Sequence, residues 1–211
     1  IKKMWKRKRK CSQAQKSILV LWWKVNMFDE VIVTQKTFRI LMNAMANPGK
    51  FYSTIMEENL STLEKICLTL LDHEVRFSIV GEKVKEENIN RIIYLTGSRY
   101  TTIEEADYVI LNGNAHNEIL NNVKIGTLEE PENGATLIYD LLENKSPQVK
   151  LKISGPGIKD FMEVNLTGIT REEIEKIKKI NLSYPLGVDV IFCYEDGIMC
   201  LPRSTMIDMV E

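Results

Sequence analysis

Asp189 and Arg203 are the residues of this chain whose types and settings best suit chemistry. Asp189 opens an otherwise apolar run, Val190-Ile191-Phe192, directly after Pro185-Leu186-Gly187, and Arg203 interrupts the apolar end of the chain after Leu201-Pro202. A carboxylate in such a strand is costly to bury unless it is paired. Three readings stay open. The two form a structural ion pair; or Arg203, with the hydroxyls of Ser204 and Thr205, faces a ligand and binds substrate; or both are simply solvated. The spacing favours the pair. Glu195-Asp196-Gly197 suits a three-residue hairpin loop with a left-handed Gly197. That register sets Tyr194 opposite Ile198 and Asp189 opposite Arg203. A two-residue Asp196-Gly197 turn would put Ser204 there instead.

Other candidates have plainer explanations. His73 and His116 are remote in sequence and read as exposed polar residues. No Ser–His–Asp or Cys–His set has a supporting local motif. In Gly155-Pro156-Gly157 the proline removes one of the N–H donors that a phosphate loop uses, and no Lys-Ser/Thr closes the motif, so it reads as a turn. The dinucleotide fingerprint is missing. Arg39 reads as a surface residue. Of the four cysteines, Cys67 and Cys193 sit in apolar runs as core thiols, and none has metal-ligand spacing. The residues therefore assign no catalytic group, no metal and no cofactor. They favour a binding or assembly role in a reducing cytoplasm.

The elements that position these residues follow from periodicity. Thr34 is the expected N-cap of a helix whose apolar face is Phe38, Leu41, Met42 and Met45, stopped by Asn47-Pro48-Gly49. Residues 51–55 read as a strand. Ser61 and Glu64 form a capping box for a second helix, and Val75, Phe77 and Ile79 alternate as a strand. A weaker helix covers 82–95. Strands follow at 107–111, 136–142 and 149–154, with one helical turn at 116–121. Thr170 and Glu173 cap a helix burying Ile174, Ile177 and Ile180. The chain closes with strands at 188–194, 198–201 and 206–210. Helices alternate with strands early and strands cluster late, which predicts one α/β domain built on a mixed sheet with helices on both faces.

Residues 1–26 differ from the rest. They hold nine of the 28 Lys and Arg and none of the 29 Asp and Glu, so the remainder carries 19 basic against 29 acidic residues, a net of −10. Three readings compete: a basic tail, a signal segment, or translated sequence upstream of the natural start near Met27. The apolar run 18–23 is too short to span a bilayer, which takes about 20 residues. The expected division is an extension over 1–26 and one domain over 27–211. Only the basic extension would suit nucleic acid, and neither nucleic acid nor membrane is an expected partner.

Five short segments carry a resemblance. They are Phe38 to Gly49 (FRILMNAMANPG), Gly134-Ala135-Thr136-Leu137, Gly155-Pro156-Gly157-Ile158, Tyr184-Pro185-Leu186-Gly187-Val188-Asp189 and Leu201-Pro202-Arg203-Ser204-Thr205. In this order and spacing the chain, over roughly 28–211, resembles the PhnH family of the bacterial carbon–phosphorus lyase system. The resemblance implies a non-catalytic subunit of the α-D-ribose 1-methylphosphonate 5-triphosphate synthase complex, which couples a phosphonate to the ribose of a nucleoside triphosphate before the C–P bond is cleaved. It implies a three-layer fold like the large domain of pyridoxal-phosphate-dependent transferases, without that cofactor or its lysine. It implies a homodimer in isolation and the other lyase core subunits as partners. The alternative is a stand-alone enzyme or binding protein for a phosphorylated small molecule.

Overall fold

The structure, a computed structural model, describes residues 13–55, 60–81, 84–112, 118–141 and 148–210, with side chains from residue 30 onward. Residues 1–12, including Cys11, and His116 lie outside it. The first helix, α1, spans Gln13–Ala46 without a break, about 50 Å at 1.5 Å per residue. Thr34 is therefore not an N-cap. Its hydroxyl donates back to the carbonyls of Glu30 and Val31, each at 3.0 Å, as a mid-helix threonine does. The helix stops where expected. Asn47 donates to the Asn43 carbonyl through its backbone and its side-chain amide, and Gly49, at φ 77°, turns the chain away.

The buried face of α1 is Val33, Thr37, Leu41 and Ala44, not the expected Phe38-Leu41-Met42-Met45 stripe. Phe38 and Met42 are 49% and 56% exposed. The helix is apolar on more than one side, so periodicity alone could not choose the inward one. The small Thr37 and Ala44 face inward where α1 lies against α2 and β9. Thr37 satisfies its own hydroxyl on the Val33 carbonyl at 2.8 Å.

The remaining elements are β1 (Tyr52–Ser53), α2 (Thr62–Leu70), β2 (Arg76–Val80), α3 (Glu86–Thr96), β3 (Arg99–Tyr100), β4 (Tyr108–Asn112), β5 (Thr136–Asp140), β6 (Gln148–Ser154), β7 (Met162–Thr167), α4 (Arg171–Asn181), β8 (Asp189–Cys193), β9 (Gly197–Leu201) and β10 (Met206–Met209). Both expected capping boxes are present, Ser61 with Glu64 on α2 and Thr170 with Glu173 on α4. Within the expected 116–121 turn, the described part forms a 3₁₀ turn at Ile119–Asn121.

Seven strands form one mixed sheet in the order β1-β9-β8-β5-β4-β2-β3, and β10-β6-β7 form a separate antiparallel sheet. In the large sheet β9 alone runs against the others. Its central strands are apolar on both faces because both are covered. Ile110, Ile138, Ile191 and Cys200 face a cluster with α1, α2 and α3. Val109, Leu137, Tyr139, Val190 and Phe192 face the small sheet and Ile174 and Ile177 of α4. Helices lie on both faces, as expected, but unevenly: three cover one face, while the small sheet and a single helix cover the other. Strands β5 and β6 are consecutive but belong to different sheets. Strand β7 was not foreseen, although Val164 and Leu166 alternate inward between exposed Glu163 and Asn165.

Candidate functional site

Asp189 and Arg203 meet. Arg203 Nε and Nη2 donate to Asp189 Oδ2 at 3.0 and 2.7 Å, and the Arg203 backbone N–H donates to Oδ1 at 2.8 Å. The side chains are 14% and 25% exposed. The hairpin register is not the expected one. Val190 pairs with Leu201 and Cys193 with Ile198, so continuing the register sets Asp189 level with Pro202. Tyr194 N–H donates to the Gly197 carbonyl at 2.9 Å, which leaves Glu195-Asp196 as the loop. Gly197 is not left-handed either. It is needed for closeness, because a β-carbon there would run into the ring of Phe51 and the carbonyl of Tyr52 on neighbouring β1. The pair forms because the chain turns. Thr205 N–H closes onto the Pro202 carbonyl at 2.8 Å, and this turn swings Arg203 back over the start of β8.

The guanidinium goes further. Nη1 donates to the Pro131 carbonyl at 2.6 Å and Nη2 to the Gly134 carbonyl at 3.3 Å. Four of its five N–H donors are thus spent inside the protein. Gly134 makes room for it, since a β-carbon there would meet Arg203 Nη1 at 2.7 Å. Arg203 joins three of the segments singled out in the sequence: 134–137, 184–189 and 201–205.

The other two segments close around the same place. A β-carbon on Gly155 would meet the Ser204 carbonyl at 2.9 Å, and one on Gly157 would collide with the Ala46 carbonyl at the end of α1. Gly49 N–H donates to the Cys200 carbonyl at 3.1 Å. All five segments then line one cleft of about 540 Å³, through Met45, Ala46, Thr136, Pro156, Gly157, Asp189, Pro202 and Ser204. It opens at the amino ends of β5 and β8. Among the described residues its polar groups are hydroxyls, a carboxylate and backbone, and its lining holds no lysine, arginine or histidine. On the other side of the 202–205 turn a second groove of about 420 Å³ is bordered by Arg203, Ser204 and Thr205 together with Lys178, Tyr184 and Met206. Ser204 borders both. The Thr205 hydroxyl is buried and has no hydrogen-bond partner among the described residues.

A polar cluster at the opposite, carboxyl ends of the strands escaped the sequence. Asn112 donates to Asp140 at 2.8 Å, and buried Lys65 donates to the Ile55 carbonyl at 2.7 Å. Nothing in the local pattern marks Asp140, which ends a strand as an ordinary residue would. Burial, then nearby Glu64 and Asp140, pushes the Cys67 thiol up to about 12. Burial, then Asp189, does the same to Cys200. These thiols, with buried Cys193, are inert core residues. His73 is exposed beside Glu74. Among the described residues no group of three His, Cys, Asp or Glu could hold a metal, and no helix is long and apolar enough to cross a membrane.

The cleft can be set beside known proteins. The chain is 28% identical over 176 residues to the "Putative C-P lyase subunit protein HtxG" of Stutzerimonas stutzeri, covering 83% of this chain and 86% of that protein. It is 26% identical over 188 residues to the "Alpha-D-ribose 1-methylphosphonate 5-triphosphate synthase subunit PhnH" of Rhizobium meliloti (strain 1021), covering 85% and 92%. Residues 26–208 match the family described as "Bacterial phosphonate metabolism protein (PhnH)". With that match spanning every segment that meets at the cleft, the chain belongs to the PhnH family of bacterial phosphonate metabolism proteins.

Proposed function

We propose that this chain is a subunit of a carbon–phosphorus lyase complex that assembles and positions its partners without doing chemistry itself. The observation that carries this reading is the internal use of Arg203. Free cationic donors make the strongest contacts to a phosphorylated ligand, and among the described residues the lining of the cleft supplies none. The alternative of a stand-alone enzyme for a phosphorylated small molecule, with Arg203, Ser204 and Thr205 as its binding residues, is weakened because Arg203 is spent internally and Lys178 of their groove is paired with Asp208.

The same reading makes the protein a cytoplasmic homodimer when isolated, working without cofactor or metal and away from nucleic acid and membranes. Exposed Val31, Phe38 and Met42 on α1 support a dimer face, and the net of −10 over residues 27–211 supports the absence of nucleic acid. A large sheet in which six of seven strands run one way supports kinship with the large domain of pyridoxal-phosphate-dependent transferases. Co-expression with the other lyase subunits tests the reading. The chain should co-purify with them and, alone, should turn over neither a phosphonate nor a phosphate ester. Turnover by the isolated chain would overturn it.

The division at residue 27 belongs to this proposal, supported by a family match that begins at residue 26. Deleting residues 1–26 should leave the unfolding midpoint within about 3 °C, the scale of 1 kcal/mol for a chain of this size. A larger drop in thermal denaturation would show that the first half of α1 is part of the domain.

A further inference from the structure

We infer that the outer edge of β7 is a docking strand, and that its occupant is an extended segment of another polypeptide carrying a basic side chain opposite Glu163. The ladder fixes which groups are free. Val210 N–H donates to the Lys150 carbonyl at 3.2 Å. In an antiparallel pair, alternate residues bond to alternate neighbours, so 150, 152 and 154 of β6 serve β10 while 149, 151 and 153 serve β7. These oppose Leu166, Val164 and Met162. The N–H and C=O groups of Glu163 and Asn165 therefore point away from β6, and both residues are exposed. No strand lies beyond β7 among the described residues.

Such rows of unpaired groups are templates for another strand, and proteins usually shorten, cover or blunt them. The other edges here follow that rule. Strands β1 and β3 have two residues each. The outward groups of β10 include those of Ile207, which is only 3% exposed. Strand β7 has six residues, without proline or lysine. It is bracketed by exposed aromatics. At one end stands Phe161, with the Lys152 ammonium 4.0 Å from its ring centre. At the other, Tyr194 hydrogen-bonds to Thr167, and exposed Phe51 lies 5.8 Å from the Tyr194 ring.

Only extended backbone matches a row of alternating N–H and C=O groups, and apolar side chains beside it supply specificity. Charge decides between partners. Glu163 has no ion-pair partner among the described residues, its cross-strand neighbour Lys152 being turned to Phe161. A second copy paired through Glu163 and Asn165 would bring two Glu163 carboxylates directly opposite or diagonally adjacent, which is repulsive. A different chain with a lysine or arginine there is favoured.

The inference rests on the subunit reading above, and hydrogen exchange separates the two. The probe is the full chain, alone and in the co-expressed lyase complex. In the complex, the amides of Glu163 and Asn165 should exchange about tenfold more slowly or better, since an added strand bonds them. Asn165→Pro removes an N–H that bonds to nothing among the described residues. It should weaken capture of the other subunits about tenfold or more while the chain's own midpoint holds within a few degrees. Glu163→Lys should weaken capture too. A complex that forms with β7 exchange unchanged, or with Asn165→Pro at full affinity, overturns the docking strand and leaves the subunit reading standing. Concentration-dependent protection in the isolated chain would make the occupant a second copy and overturn the inference as stated. Failure of the wild-type chain to join any complex would overturn both.

Discussion

Arg203→Ala is expected to cost about 3 kcal/mol of stability, lowering the unfolding midpoint by roughly 6–12 °C. The substitution removes two bonds to Asp189 and two to the carbonyls of Pro131 and Gly134. Hydrogen bonds to charged groups contribute about 1.5–3 kcal/mol each, and stripping one partner from a fully buried pair costs about 3–5 kcal/mol. The side chains here are partly solvated, and Asp189 keeps the Arg203 backbone N–H, so the lower end applies. Lysine should rescue poorly, because a point ammonium cannot reach the carboxylate and both carbonyls together. Thermal unfolding of both variants, with a double-mutant cycle through Asp189→Ala, makes the measurement. A midpoint within about 2 °C of wild type would mean that the guanidinium is not structural. Lost complex activity at unchanged stability would return Arg203 to the role of a ligand-binding residue.

Gly157→Ala should be comparably damaging for a different reason. Gly157 sits at φ 85°, where an L-residue is strained by about 1–2 kcal/mol. Its β-carbon would also press on the Ala46 carbonyl and, at 2.9 Å, on Pro48 Cδ. Neither can swing aside as the end of a flexible side chain could, so the 155–157 turn must leave the end of α1 and the cleft must change shape. The expected loss is about 3 kcal/mol or more. The chain holds its own control. Gly97, the C-cap of α3, has φ 73° with nothing within 4 Å of an added β-carbon. Gly97→Ala should show the backbone strain alone, about 1 kcal/mol. Equal losses at the two positions in chemical denaturation would show that close approach at Gly157 contributes nothing.

Features that depend on neighbours a few residues away are readable in the chain before it folds. The Ser61 and Thr170 caps, the Asn47-Pro48-Gly49 stop and the strands β4, β5 and β8 are all legible, because each is set by local hydrogen bonding or periodicity. So are the five segments that carry the family likeness. What they share is not legible, because segments as far apart as Met45 and Ser204 meet only when the sheet brings the amino ends of β5 and β8 beside the end of α1. Thr34 does not mark the start of α1, because a threonine suits both a cap and a helix interior once its hydroxyl can bond backward. Period alone cannot rank the two apolar stripes of α1; contact with α2 and β9 decides it and puts Thr37 and Ala44 inward. The register of β8 and β9 is one residue from the one that would set Asp189 opposite Arg203. Asp189 and Arg203 meet through the turn at Pro202–Thr205 and not through the ladder. Turn geometry and the crowding of Phe51 on Gly197 are tertiary facts, and the separation of β5 and β6 into two sheets is another. Local pattern fixes which residues form strands; which strands become neighbours is decided by what each face must bury.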